Sequence, residues 1–187
     1  MKKLQLLATV VACAGVMTAC STQSGKGDEN GAKMSKTMTT QSDKSQKTVA
    51  EGMDFQLTGI DGKTYHLSDY KGKKVYLKYW ASWCPICLAG LEELDQLAKE
   101  APEDTVILSV VSPDHKGEQS TEDFKKWYKE LSYKHLPVLL DPDGTLISEQ
   151  GVRVYPTSSF INEMGEFVKT QPGHLESDDI LEQLANL

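Results

Sequence analysis

Arginine is almost missing from this chain: Arg153 is the only one among 187 residues. The lysines are interspersed with acids and the formal net charge is −7. No basic stripe is left to neutralise a phosphate backbone, which excludes nucleic acid as a partner. Long apolar runs are also lacking, and none reaches the ~18–20 residues of a membrane-crossing helix. Cysteines number only four. A structural zinc centre takes four ligands, commonly from two paired clusters, yet only one Cys-x-x-Cys is present. His66, His115, His135 and His174 are scattered without ligand spacing. No metal and no organic cofactor are expected. Covalent haem needs a histidine after the second cysteine, and Leu88 stands there.

What is present begins with an export signal. Lys2 and Lys3 form a basic start, Leu4 to Met17 an apolar stretch, and the small residues Thr18 and Ala19 precede Cys20. That is the layout of a cleaved leader, and residues 1–19 are assigned to it. Residues 20–48, from Cys20 through "STQSGKGDENGAKMSKTMTTQSDKSQKT", carry no apolar period. Such a segment cannot offset its ordering entropy by burial, so a disordered tether is expected. As a flexible coil it would span ~30 Å.

The folded domain is expected over 49–187. "DFQLTGIDGKTYHLSDYKGK" alternates and carries turn signals, which predicts a hairpin. "KVYLKYW" reads as a buried strand. A helix is predicted from Pro85 to about Glu100, with Leu88, Leu91, Leu94, Leu97 and Ala98 on one face. "TVILSVVS" is a β-branched central strand covered on both faces. "STEDFKKWYKEL" opens with a cap and acids, then spaces Phe124, Trp127, Tyr128 and Leu131 helically. "LPVLL" is a short strand, and "LDPDGTL" reads as a plain turn that lacks the rest of a calcium loop. "TSSFINEMGEFVKTQ" predicts two strands around a turn, and "SDDILEQLANL" a last amphipathic helix. The order implies an α/β fold: a parallel core sheet, made mixed by its hairpins, with flanking helices.

In "YWASWCPIC", Cys84 and Cys87 sit where a strand gives way to a helix. A structural disulfide is the sober alternative, since exported proteins use them. Closing so short a loop constrains little of the unfolded chain, however. At a helix N-terminus, unpaired N–H groups and the helix dipole stabilise a thiolate, and Cys-x-x-Cys cysteines commonly have lowered pKa values. Cys84 is therefore the expected attacking thiol and Cys87 the resolving one. Trp83, Pro85 and Ile86 flank the pair, and Trp83 and Ile86 offer an apolar docking surface, whereas Trp80 is expected in the core.

With these residues the chain resembles the thioredoxin superfamily, and from "DFQLTGIDGKTYHLSDYKGKKVYLKYWASWC" its TlpA/ResA-like branch of exported thiol–disulfide oxidoreductases. "VMTAC" resembles a bacterial lipoprotein signal, with Met17 in place of the more usual leucine. The resemblance is to Gram-positive surface thioredoxin-like lipoproteins. It implies a thioredoxin fold with an insertion, from about His115 to Gln150, before a cis-proline. It implies acylation of Cys20 and a domain anchored by lipid at the extracytoplasmic face of the membrane. Pro156, in "GVRVYPTSSFIN", fills the cis-proline position, and the residue before it, Tyr155, would pair its backbone with substrate. A CcdA-type membrane protein would donate electrons. Client protein disulfides would receive them, with a surface methionine sulfoxide reductase and cytochrome c maturation as candidate clients.

Two positions depart from the family. Lys78 stands where thioredoxins bury an aspartate six residues before the first cysteine, and it is a candidate for tuning the thiolate or a snorkelling lysine. Gly90 stands where ResA-like proteins have a glutamate. An oxidant that inserts disulfides is the rival within the same chemistry, and a redox-inert binding module the rival outside it. A peroxidase is disfavoured, because "YWASWC" lacks the Pro-x-x-x-Thr-x-x-Cys setting. A monomer is expected, since no leftover thiol or large apolar stripe asks for a partner.

Overall fold

The computed structural model describes residues 53–187. The expected leader, Cys20 and the tether lie outside the described residues. Seven strands form one mixed sheet: β1 (Gln56–Gly59), β2 (Thr64–His66), β3 (Lys74–Tyr79), β4 (Thr105–Val111), β5 (Val138–Leu140), β6 (Thr157–Ile161) and β7 (Phe167–Pro172). Their spatial order is β2-β1-β5-β4-β3-β6-β7. The central pairs β3–β4 and β4–β5 are parallel, and the other pairings are antiparallel. Central strands are buried along nearly their whole length, as their continuous apolar, β-branched runs require.

Period-two alternation divides the core between the two faces of the sheet. On one face Tyr76, Ile107 and Phe160 pack with Leu91, Leu94, Phe124, Ile180 and Leu184 from helices α2 (Leu91–Glu100), α3 (Thr121–Tyr128) and α5 (Ser177–Ala185). On the other, Val75, Leu77, Leu108, Val110 and Ile161 pack with Phe55, Leu67, Leu146 and Ile147. Among the described residues no helix is long and apolar enough to cross a membrane.

One sequence expectation needs correction, and one short helix is additional to those expected. The helix predicted from Pro85 to Glu100 is two, α1 (Pro85–Ala89) and α2, broken at Gly90. Gly90 is buried beneath the ring of His174, and a Cβ there would stand 2.5 Å from His174 Cε1 and 3.2 Å from Lys78 Nζ. The segment read as a plain turn does turn at Pro142 and Asp143, closed by the Gly144 N–H to Asp141 O bond at 3.1 Å, and a further helix, α4 (Thr145–Glu149), follows it. Buried Asp141 accepts hydrogen bonds from the N–H groups of Leu146 (3.3 Å) and Ile147 (3.1 Å) and from Ser112 Oγ (3.2 Å). A carboxylate that caps a helix and holds a neighbouring loop looks, in sequence, like any Asp-Pro-Asp-Gly turn.

Candidate active site

Strand β3 ends at Tyr79, and buried Trp80 and Ala81 lead into the turn that carries the cysteines. The Cys84 N–H donates to Ala81 O at 3.2 Å, closing that turn. Cys84 then caps α1: its sulfur accepts the Cys87 N–H at 3.2 Å, and its carbonyl accepts the Leu88 N–H at 3.0 Å. Pro85 at the first helical position costs no hydrogen bond and presets the backbone. Cys84 and Cys87 are joined as a disulfide with Cα atoms 5.2 Å apart. Cys84 keeps a sliver of exposure, 4%, and Cys87 none, so an incoming sulfur meets Cys84 first.

The surroundings are apolar and open. Trp83 is 52% exposed, Ile86 61% and Val154 56%, and Pro85 is exposed as well. The Tyr155–Pro156 peptide is cis. Thr157, the next residue, pairs in register with Tyr79, so the proline loop and the cysteine turn leave the sheet at the same end. Tyr155 brings its ring to 6.0 Å from that of Trp83. Burial pushes the Tyr155 phenol up to about 12, which keeps the ring neutral at any physiological pH.

Lys78 is buried, and among the described residues its ammonium has no hydrogen-bond partner. Its neighbours in register, Ser109 on β4 and Ser158 on β6, are small and leave room for the long side chain. Burial lowers the Lys78 ammonium to about 8, against the pull of Glu93 and Glu176. Glu93 Oε1 accepts the Ser177 N–H at 2.6 Å, and hydrogen bonding from the Ser177 side chain first and this N–H second holds the Glu93 carboxyl below the ordinary range. His174 Nε2 lies 3.2 Å from Glu176 Oε1. Glu93, His174 and Glu176 have ligand atoms all within 4.8 Å of one another, and both carboxylates act on the Lys78 ammonium. None of these three partners was legible beside Lys78 in the sequence, because α2 and the β7–α5 connection bring them together only in the fold.

A second residue escapes sequence reading. Glu118, in the loop between β4 and α3, is 7% exposed. It accepts hydrogen bonds from Ser82 N (2.5 Å), Ser82 Oγ (2.6 Å) and Gln119 N (2.7 Å). Nothing in "DHKGEQS" distinguishes this acid from a solvated one.

Residues 48–170 match the AhpC/TSA family. The chain belongs to the AhpC/TSA family. An uncharacterized Haemophilus influenzae protein is 50% identical to it over 127 residues, 68% of this chain and 81% of that one. The sporulation thiol-disulfide oxidoreductase A of Bacillus subtilis is 33% identical over 130 residues, 68% of this chain and 76% of that one. Among solved structures, the pneumococcal exposed lipoprotein thioredoxin from Streptococcus pneumoniae strain TIGR4 is 64% identical, with a TM-score of 0.71, covering 72% of this chain and all of that one. This AhpC/TSA member has the thioredoxin-like fold. It is a thiol–disulfide oxidoreductase of the ResA/StoA type.

Proposed function

We propose that this AhpC/TSA member is a lipid-anchored extracytoplasmic reductase of client protein disulfides. The observation that carries the chemistry is the Cys84–Cys87 disulfide at the start of α1. In the reduced enzyme, Cys84 thiolate attacks one sulfur of a client disulfide. The client S–S bond breaks, its other sulfur leaves as thiolate, and a Cys84–client mixed disulfide forms. Cys87 thiolate then attacks Cys84 Sγ, expelling the second client thiolate and regenerating the Cys84–Cys87 disulfide. Two electrons have passed to the client, whose thiolates take up two protons. Exposed Trp83, Pro85 and Ile86 and half-buried Tyr155 form the docking surface, the cis-Pro156 itself being buried, and the Tyr155 backbone pairs with the client chain. Lys78, whose Nζ lies against Gly90 at the junction of α1 and α2, adds a positive charge that favours the thiolate.

Cys20 would carry the lipid, with residues 20–48 as tether and residues 49–187 as the catalytic domain. The exposed lipoprotein thioredoxin among the similar structures supports that placement. A CcdA-type membrane protein would return two electrons to the pair by the reverse exchange. A surface methionine sulfoxide reductase fits as client, because its resolving disulfide must be reduced each cycle. The test is a pair of substitutions. Cys84→Ser should abolish reduction of insulin disulfides, and Cys87→Ser should accumulate the mixed disulfide, visible on a non-reducing gel. An active Cys84→Ser variant would overturn the assignment.

A further inference from the structure

Building on that exchange reaction, we infer that Glu118 is a positioning residue for protein clients: it holds Ser82, and through Ser82 it fixes Trp83 against Tyr155. A carboxylate this buried is expensive unless its oxygens are satisfied. Among the described residues no cation pairs with Glu118; its oxygens are satisfied by three N–H and O–H donors, and two of them belong to Ser82. Gln119 Nε2 adds a 3.0 Å bond to Ser82 Oγ. The β4–α3 loop thus grips one residue of the cysteine turn, two positions before Cys84.

Trp83 follows Ser82 and is half exposed, so burial does little to orient it. The residues beside it must do so. One neighbour is Gly117, in a left-handed conformation with φ +82°; a Cβ there would lie 3.7 Å from Trp83 Nε1, in van der Waals contact. Another is the Tyr155 ring, 6.0 Å away. Gly117 and Glu118 are consecutive, so the loop that grips Ser82 also walls Trp83. Cys84, by contrast, is held by α1 and by its own hydrogen bonds. Loosening Ser82 should disturb docking while leaving the reacting sulfur in place.

The experiment compares two substrates in the folded domain: insulin, a protein disulfide that must dock, and bis(2-hydroxyethyl) disulfide, which need not. Ser82→Ala removes the hydroxyl bonds and leaves the backbone bond to Glu118, and Glu118→Gln removes the charge. Each should slow insulin reduction on the order of fivefold, as expected when the hydrogen bonding that holds Ser82 is weakened, and leave the small disulfide within about twofold. The double variant should be no slower than the worse single one, since both act through the same contact. Equal losses on both substrates, additive losses, or unchanged insulin reduction would each overturn the inference. If Glu118→Gln does not fold, Ser82→Ala alone still decides between a selective loss on insulin and either equal losses on both substrates or unchanged insulin reduction. A wild-type domain that reduces neither substrate would instead contradict the reductase reading itself.

Discussion

At the scale of single residues, Lys78 states the main cost of the site. Its ammonium is lowered from 10.5 to about 8 by burial. Below pH 8 both folded and unfolded chains hold the proton, and the full cost of burying the charge is present. Between pH 8 and 10.5 the unfolded chain keeps the proton that the folded chain has released, so stability rises with pH. Lys78→Met should therefore be more stable at pH 7, by on the order of 2 kcal/mol, and should lose the rise between pH 8 and 9.5 seen in wild type. Denaturant titrations at those pH values check this, and parallel profiles would contradict it. The same variant should raise the Cys84 pKa, read from the pH dependence of alkylation, and an unchanged value removes Lys78 from thiolate tuning. The cysteines were legible in sequence because their chemistry is local: two thiols three apart at a strand-to-helix junction. The surroundings of Lys78 were not, because Glu93, His174 and Glu176 reach it only through tertiary packing.

At the scale of elements, Gly90 explains why one predicted helix is two. Its backbone has a negative φ of −97°, so no left-handed conformation demands glycine there; space does. Alanine would ordinarily favour a helix over glycine by about 1 kcal/mol. Here its Cβ meets His174 and Lys78, and Gly90→Ala should lower stability by about 1 kcal/mol. In a His174→Ala background the same change should become neutral or stabilising, as thermal unfolding of the four variants will show. A penalty that persists without His174 would contradict the steric account. Asp141 makes the complementary point. Its side chain ties α4 and Ser112 together, so Asp141→Ala should cost roughly 1–3 kcal/mol, against near neutrality for an exposed turn aspartate. The strands and long helices were readable from periodicity. The helix break and the short α4 were not, because the steric neighbour of one and the capping partner of the other are set by the fold.

At the scale of the whole molecule, the sheet order puts β3 between β4 and β6, and this brings the cysteine turn and the cis-proline loop to one end. The expectation of an α/β thioredoxin fold with a mixed sheet agrees with the observed topology and with the family to which the chain belongs. The direction of electron flow is a property of the whole domain, since it depends on the relative stability of the dithiol and disulfide forms. The most direct test is the equilibrium reduction potential of Cys84–Cys87 in the folded domain, measured against glutathione and thioredoxin buffers. A reductase of client disulfides should lie near thioredoxin's ~−270 mV. A potential near the ~−120 mV of a strong oxidant would contradict the proposed direction and make this enzyme a donor of disulfides.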